Sequence, residues 1–268
     1  MASSNATPDG VPGTGRARTA RERARVELTR EIREEARRQL AAVGADGLSL
    51  RAVARELGMV SSALYRYYPS RDDLLTALII DAYNALGDAA EQAIAADGGA
   101  GARGGGARAA WVAACHAVRD WALANPHEYA LIYGSPVPGY RAPEETIGPA
   151  ARVPLAFVGV LARAVASGEL DERRASAAAA GTPITGVLRD QANELSGALS
   201  AQPPGGGADL SAKPEVPPEV LVKAVIAWTQ LFGMISFELF GQFVGSFEPA
   251  DALFAHTVHE LASSVGLR

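Results

Sequence analysis

Several things are scarce in this chain. One cysteine, Cys115, occurs in 268 residues, so no internal disulfide can form, a usage that fits a reducing cytoplasm. Lysine appears only as Lys213 and Lys223. No G-x-x-x-x-G-K-[ST] loop is present to cradle a nucleotide phosphate. Aromatic residues make up 6% of the chain, and alanine is abundant, a mix that favours helices over sheets. No stretch offers about eighteen uninterrupted apolar residues, the minimum for a membrane span. The nearest, 220–244, is broken by Lys223, Gln230, Glu238 and Gln242. The first eighteen residues hold no apolar run of the signal-peptide kind. A cytoplasmic chain with no membrane partner is expected. Chemistry is scarce too. His256 and His259 stand three apart without a cysteine nearby and read as a solvated face rather than a metal pair. "GAGARG" at 99–104 has the spacing of a dinucleotide loop but follows a helical pattern, not a strand, so it reads as linker. No general acid–base pair stands out. The expectation is a non-enzyme that needs no cofactor.

Charge is unevenly spread. The net charge is −5, yet residues 1–75 alone come to +3, leaving −8 for the rest. Arg16, Arg18, Arg21, Arg23 and Arg25 face only Glu22 between positions 16 and 25. A basic end on an acidic body suits a local anionic partner, and equally a solubilising tail.

The periodicity reads as all-α. Leu28, Ile32, Ala36 and Leu40 recur at four-residue steps in a helix over about 20–43. Ser49 is placed to cap a short second helix buried through Leu50, Val53, Ala54 and Leu57. Gly58 interrupts, and a very short helix follows over about 61–67. Ser70 caps a fourth, with Asp72 and Asp73 in its first turn, where the helix dipole favours negative charge. Further helices are expected at about 108–124, 152–167, 172–199, 219–244 and 249–265. The domain expectation is a disordered tail over 1–18, a head of short helices over 19–68 and a larger helical body over 69–268. Flexible segments are expected at 97–107 and 200–218, where Gly and Pro cluster.

Two short helices around a glycine turn make a helix-turn-helix, whose second helix enters a major groove. Ala63 and Leu64 supply the apolar underside of that helix. Ser61, Ser62, Tyr65, Arg66 and Tyr67 are left outward, a surface of hydroxyls and one cation suited to phosphates and base edges. The arginines ahead of the first helix fit a minor groove or the DNA backbone.

"SLRAVARELGMVSSALYRYYPSRDDLL" closely resembles the N-terminal domain of the TetR family of bacterial transcription regulators, over about residues 22–78. The resemblance implies that Arg51 reads a base and that Ser61, Ser62 and Tyr65 meet bases or adjacent phosphates. It implies that Ala63 and Tyr67 meet the backbone. Arg71 stands close to a position where the family often has lysine. Arg21 and Arg66 complete the expected DNA-binding set. Val60 stands where a capping polar residue is frequent, leaving Ser61 as the expected cap.

The family's second domain is a ligand-responsive dimerisation domain. "AWTQLFGMISFELFGQF" is similar to a subgroup with a Trp-His-Gly signature. Trp228 and Gly233 fit, and Phe232 replaces the His, so any ligand contact made by that His is lost. The expected ligand liners are Trp111, Cys115, Trp121, Tyr129, Tyr133, Phe157, Trp228 and Phe237, each also compatible with plain core packing. Their low polarity implies an apolar or aromatic effector. The last two helices are apolar enough to face symmetry mates through Leu231, Ile235, Leu239, Phe254, Val258 and Leu261, or to form the core of a monomer. The resulting expectation is a homodimeric repressor released from double-stranded operator DNA by a small molecule. An activator, or a helical small-molecule-binding protein or enzyme with a silent helix-turn-helix, are the alternatives.

Overall fold

A computed structural model describes residues 14–98, 105–171, 184–201 and 216–268. Most of the expected 1–18 tail, the 99–104 glycine segment, the first part of the expected 172–199 helix and most of the 200–218 linker lie outside these residues. The described residues are helical, with a single antiparallel bridge between Leu170 and Leu267. They fall into two compact units, Met1–Leu78 and Ile79–Arg268.

The first unit holds α1 (Thr14–Val43), α2 (Leu50–Glu56), α3 (Ser61–Leu64) and the start of α4 (Arg71–Gly98). Helix α1 starts ahead of the expected residue 20 and the expected tail boundary. Its inward face is the predicted one, since Ile32, Ala36 and Leu40 are buried. Ser49 caps α2 as expected, its Oγ accepting from the Ala52 N–H at 3.5 Å. Gln39 Oε1 accepts the Ser49 N–H, tying that cap to α1. Ser70 caps α4 reciprocally. Its Oγ accepts the Asp73 N–H at 3.1 Å, while Asp73 Oδ2 accepts the Ser70 N–H at 2.8 Å.

The second unit holds the rest of α4 and α5 (Ala107–Ala124), α6 (Pro126–Tyr133), α7 (Ile147–Ser167), α8 (Val187–Ala201), α9 (Pro218–Leu239) and α10 (Asp251–Ser264). Helix α7 starts five residues before the predicted 152 and runs through Pro154. Pro149 sits in its first turn, where a missing N–H costs nothing. Helix α9 stops at Leu239, short of the predicted 244, because the chain turns at Gly241 with φ +74°, a conformation that suits glycine. One core joins α4, α5, α6, α7, α9 and α10. Helices α7 and α9 are long and apolar enough to cross a bilayer, but both contribute their buried faces to this core.

Two arginines brace the unit. Arg119 on α5 donates to both carboxylate oxygens of Glu238 on α9 (2.8 and 2.5 Å) and to Asp251 on α10 (3.1 Å). Its guanidinium lies 4.8 Å from the Phe254 ring centre. Arg152 on α7 lies across α4. It donates to the Asn84 carbonyl and side chain, to Asp88 and to both oxygens of Glu91. Gly87 lies directly beneath, where an added Cβ would meet Arg152 Nε at 2.9 Å.

Candidate DNA-binding surface and effector core

The head is built around a very short helix. Gly58 takes φ +66° in the turn, and the Met59 N–H closes it on the Ala54 carbonyl at 2.8 Å. Helix α3 then lasts four residues, and the chain tightens over Tyr65–Tyr67, whose N–H groups return to Ser61, Ala63 and Leu64. Val60 occupies the N-cap without a side-chain bond. Ser61 therefore does not cap, contrary to expectation, because it is already the first helical residue. Leu64 is fully buried and forms the underside, whereas Ala63 is only half-buried. Tyr68 is buried too, accepting from Arg33 Nε of α1 at 2.7 Å.

Outward lie Arg51, Ser62, Tyr65 and Arg66, all exposed, with Ser61 and Tyr67 half-buried beside them. None of these six side chains has a hydrogen bond or ion pair to another described residue. Polar groups that a fold does not use, held on a propped helix, are available to an external partner. Arg71 is already engaged within the fold. Its Nη2 donates to the Ala45 carbonyl at 2.6 Å and its Nη1 lies 3.6 Å from Asp72, so it also fastens α4 to the end of α1. Arg21 is exposed on α1.

In the second unit, Trp111, Cys115, Tyr129 and Phe157 are buried core residues. Trp121, Tyr133 and Trp228 pack half-buried against them. The rings form a pair, Trp111 on Phe157 at 4.7 Å, and a separate chain, Tyr129 on Tyr133 at 5.2 Å, Tyr133 on Phe232 at 4.4 Å and Trp228 on Phe232 at 5.9 Å. Phe232, noted from the sequence only as replacing the signature His, and Tyr83, which meets Tyr133 at 6.0 Å, belong to this cluster and were not among the expected liners. Phe237 does not belong. It is 55% exposed, on the opposite side of α9 from the core. The Tyr129 hydroxyl donates to the Phe232 carbonyl at 3.0 Å, and burial pushes its pKa up to about 12. Burial likewise pushes the Cys115 thiol up, which keeps it from acting as a thiolate. Among the described residues of this unit, three buried donors lack an acceptor: Trp111 Nε1, Trp228 Nε1 and Lys223 Nζ. Desolvation lowers the Lys223 pKa. A separate shallow concavity of about 250 Å³ lies at the end of α9, lined by Glu238, Phe243, Val244, Phe247 and Pro249 among others, and contains none of the predicted liners.

The predicted dimer residues need correction. Leu231, Ile235, Phe254, Val258 and Leu261 are all buried inside the single chain, and Leu239 packs against the same core. The uncovered face of α9 lies opposite. Ile226, Gln230, Gly233, Phe237 and Phe240 follow one another at steps of four, three, four and three, and all are exposed. That alternation of three and four places them along one face of the helix.

Comparison with known proteins agrees with the geometry. Residues 32–78 match the family model of bacterial regulatory proteins of the tetR family, and residues 111–261 match the tetracyclin repressor-like C-terminal domain. The chain belongs to the TetR family. It is 39% identical over 234 residues to the HTH-type transcriptional regulator Rv1816 of Mycobacterium tuberculosis, covering 85% of this chain and 86% of that one. A Mycobacterium bovis regulator, Mb1846, matches equally. The crystal structure of regulatory protein SCO4313 superposes with a TM-score of 0.64 at 34% identity, over 90% of this chain and 97% of that one. A Rhodococcus sp. RHA1 structure shares the fold at 22% identity, with a TM-score of 0.61. This TetR-family chain is a transcription regulator, not an enzyme.

Proposed function

We propose that this regulator is a homodimeric, cytoplasmic repressor that leaves its double-stranded operator when a small effector binds the α-helical body. The observation that carries the DNA reading is the unpaired, outward patch of Arg51, Ser61, Ser62, Tyr65, Arg66 and Tyr67 around a propped α3. Arg51 is suited to a guanine edge, Tyr65 to a thymine methyl or phosphate, and the serines to phosphates. Ala63 and Tyr67 border the backbone, with Arg21 and the partly engaged Arg71 at the margins.

Pairing has a geometric purpose, since two heads must meet successive major grooves about 34–36 Å apart. The seam Ile226, Gln230, Gly233, Phe237 and Phe240 supports a second copy as its cover, in place of the buried residues first expected. The effector reading rests on the aromatic chain through Tyr133, Phe232 and Trp228, with Trp111, Cys115, Trp121, Tyr129 and Phe157 around it. The unpartnered indole N–H groups of Trp111 and Trp228 favour a mainly apolar or aromatic molecule that also carries an acceptor oxygen. Release requires that the effector bind the DNA-incompetent geometry more tightly than the competent one.

The test is a gel shift and footprint on the DNA upstream of the regulator's own gene. Arg51→Ala and Tyr65→Ala should each weaken the specific complex by about 1–3 kcal/mol. Unchanged affinity in both variants would remove the assigned reading face.

A further inference from the structure

Helix α1 is longer than its domain needs. Every residue from Thr19 to Glu27 is exposed, and the first buried residue of the helix is Ile32. The stretch from Thr14 to Glu27 adds about 21 Å of helix at 1.5 Å per residue. A helical extension left exposed over Thr19–Glu27 is marginal in water by itself, so its purpose is not the core. Its charge changes along its length. Arg30 is occupied by Glu27 and Glu34. Ahead of that pairing, the side chains of Arg21, Arg23 and Arg25 have no ion pair or hydrogen bond to another described residue.

Helical periodicity sorts those three arginines. Arg25 lies two turns before Ile32, and Arg21 three turns before it, so both continue the face that carries Ile32 and Ala36 into the core. Arg23 points the other way. Inside the domain that face meets α2 through Gln39 and Ser49, and on its flank Arg33 holds Tyr68, just after α3. Beyond the domain edge the same face turns from apolar to cationic, on the side where the reading helices pack.

We propose that the overhanging turns of α1 form a second DNA-binding element, in which Arg21 and Arg25 grip phosphates flanking the segment read by α3. This rests on the DNA-binding reading above and extends it. The partner is duplex DNA because the exposed cations are separate, unpaired and spaced one turn apart, which suits a row of phosphates. The grip is independent of sequence and adds salt-dependent affinity to specific and non-specific complexes alike.

The experiment uses the full chain with two duplexes of one length, the footprinted site and a scrambled sequence. Binding is followed by fluorescence anisotropy from 50 to 200 mM KCl. Arg21→Ala with Arg25→Ala removes two contacts from each copy of the dimer and should reduce the slope of log affinity against log salt by about 3.6 on both duplexes, at 0.9 per phosphate contact. The defect should therefore be about 150-fold larger at 50 mM than at 200 mM. The ratio of specific to scrambled affinity should hold. Arg23→Ala with Arg30→Ala removes the same charge from outside this face and should leave the slope within a few tenths of wild type. An equal loss in that control would reduce the effect to net charge and overturn the docked face. So would an unchanged slope in the first variant, or a first variant that alters only self-association. A wild-type chain that binds both duplexes equally, with the slope still set by Arg21 and Arg25, would refute the operator reading while the arm stands.

Discussion

Arg119 offers a stringent test of how the body is held. Its side chain is 7% exposed, Glu238 is 16% exposed and Asp251 is 70% exposed. Arg119→Met keeps the apolar stem but leaves the Glu238 carboxylate buried without its partner. Breaking such a pair costs about 3–5 kcal/mol, most of it the penalty of the stranded charge. The Asp251 contact, mostly in solvent, is worth at most about 1 kcal/mol, so Asp251→Asn should barely register. The contact with Phe254 adds roughly 0.5–1 kcal/mol. Against a typical total of about 5–15 kcal/mol, the Arg119→Met loss is large. Replacing both partners, Arg119→Met with Glu238→Leu, should recover most of the loss, because nothing charged then remains in the cleft. Urea unfolding with a constant slope reads all four proteins. An Arg119→Met variant within about 1 kcal/mol of wild type would refute the stranded-charge reasoning. A double variant no better than the single one would do the same.

Two further outcomes follow from the geometry. Phe237→Glu places a charge in the exposed α9 seam and should raise the dimer dissociation constant at least about a hundredfold. That figure takes about 1.5 kcal/mol of lost burial per copy; sedimentation velocity showing an unchanged dimer would rule out this seam. The Glu169 carboxylate accepts from the Ser167 hydroxyl and the Ala107 N–H, both at 2.7 Å, which lowers its pKa. A depressed carboxylate contributes stability that is fully present above its unfolded value of about 4.3 and is lost as pH falls through the lower folded value. Glu169→Gln should therefore flatten the acid limb of a melting-temperature profile taken from pH 5 to 3, and an identical limb would show that this bond carries no linkage.

The head was largely legible because its signals are local. Ser49 and Ser70 sit beside the N–H groups they cap, Gly58 marks its own turn, and Leu28, Ile32, Ala36 and Leu40 declare one face of one helix. The body was less so. Helix α9 is apolar on both sides, so periodicity alone does not mark its outer face. Glu238 turns inward because Arg119, distant in sequence, neutralises it. Phe237 and Ile235 are two residues apart and equally apolar, yet one is exposed and the other buried. Only the packing of the neighbouring helices decides between them. Pro149 concealed the start of α7, since a proline in a first turn reads the same as one that ends a helix.

Position 87 is coupled to position 152. The guanidinium lying on α4 needs a bare backbone beneath it, so even a methyl group at Gly87 would push Arg152 off at least some of its acceptors. Related chains should then vary at these two sites together. Where 87 has grown a side chain, 152 should have given up its arginine, and a lineage caught with both would hold α7 away from α4.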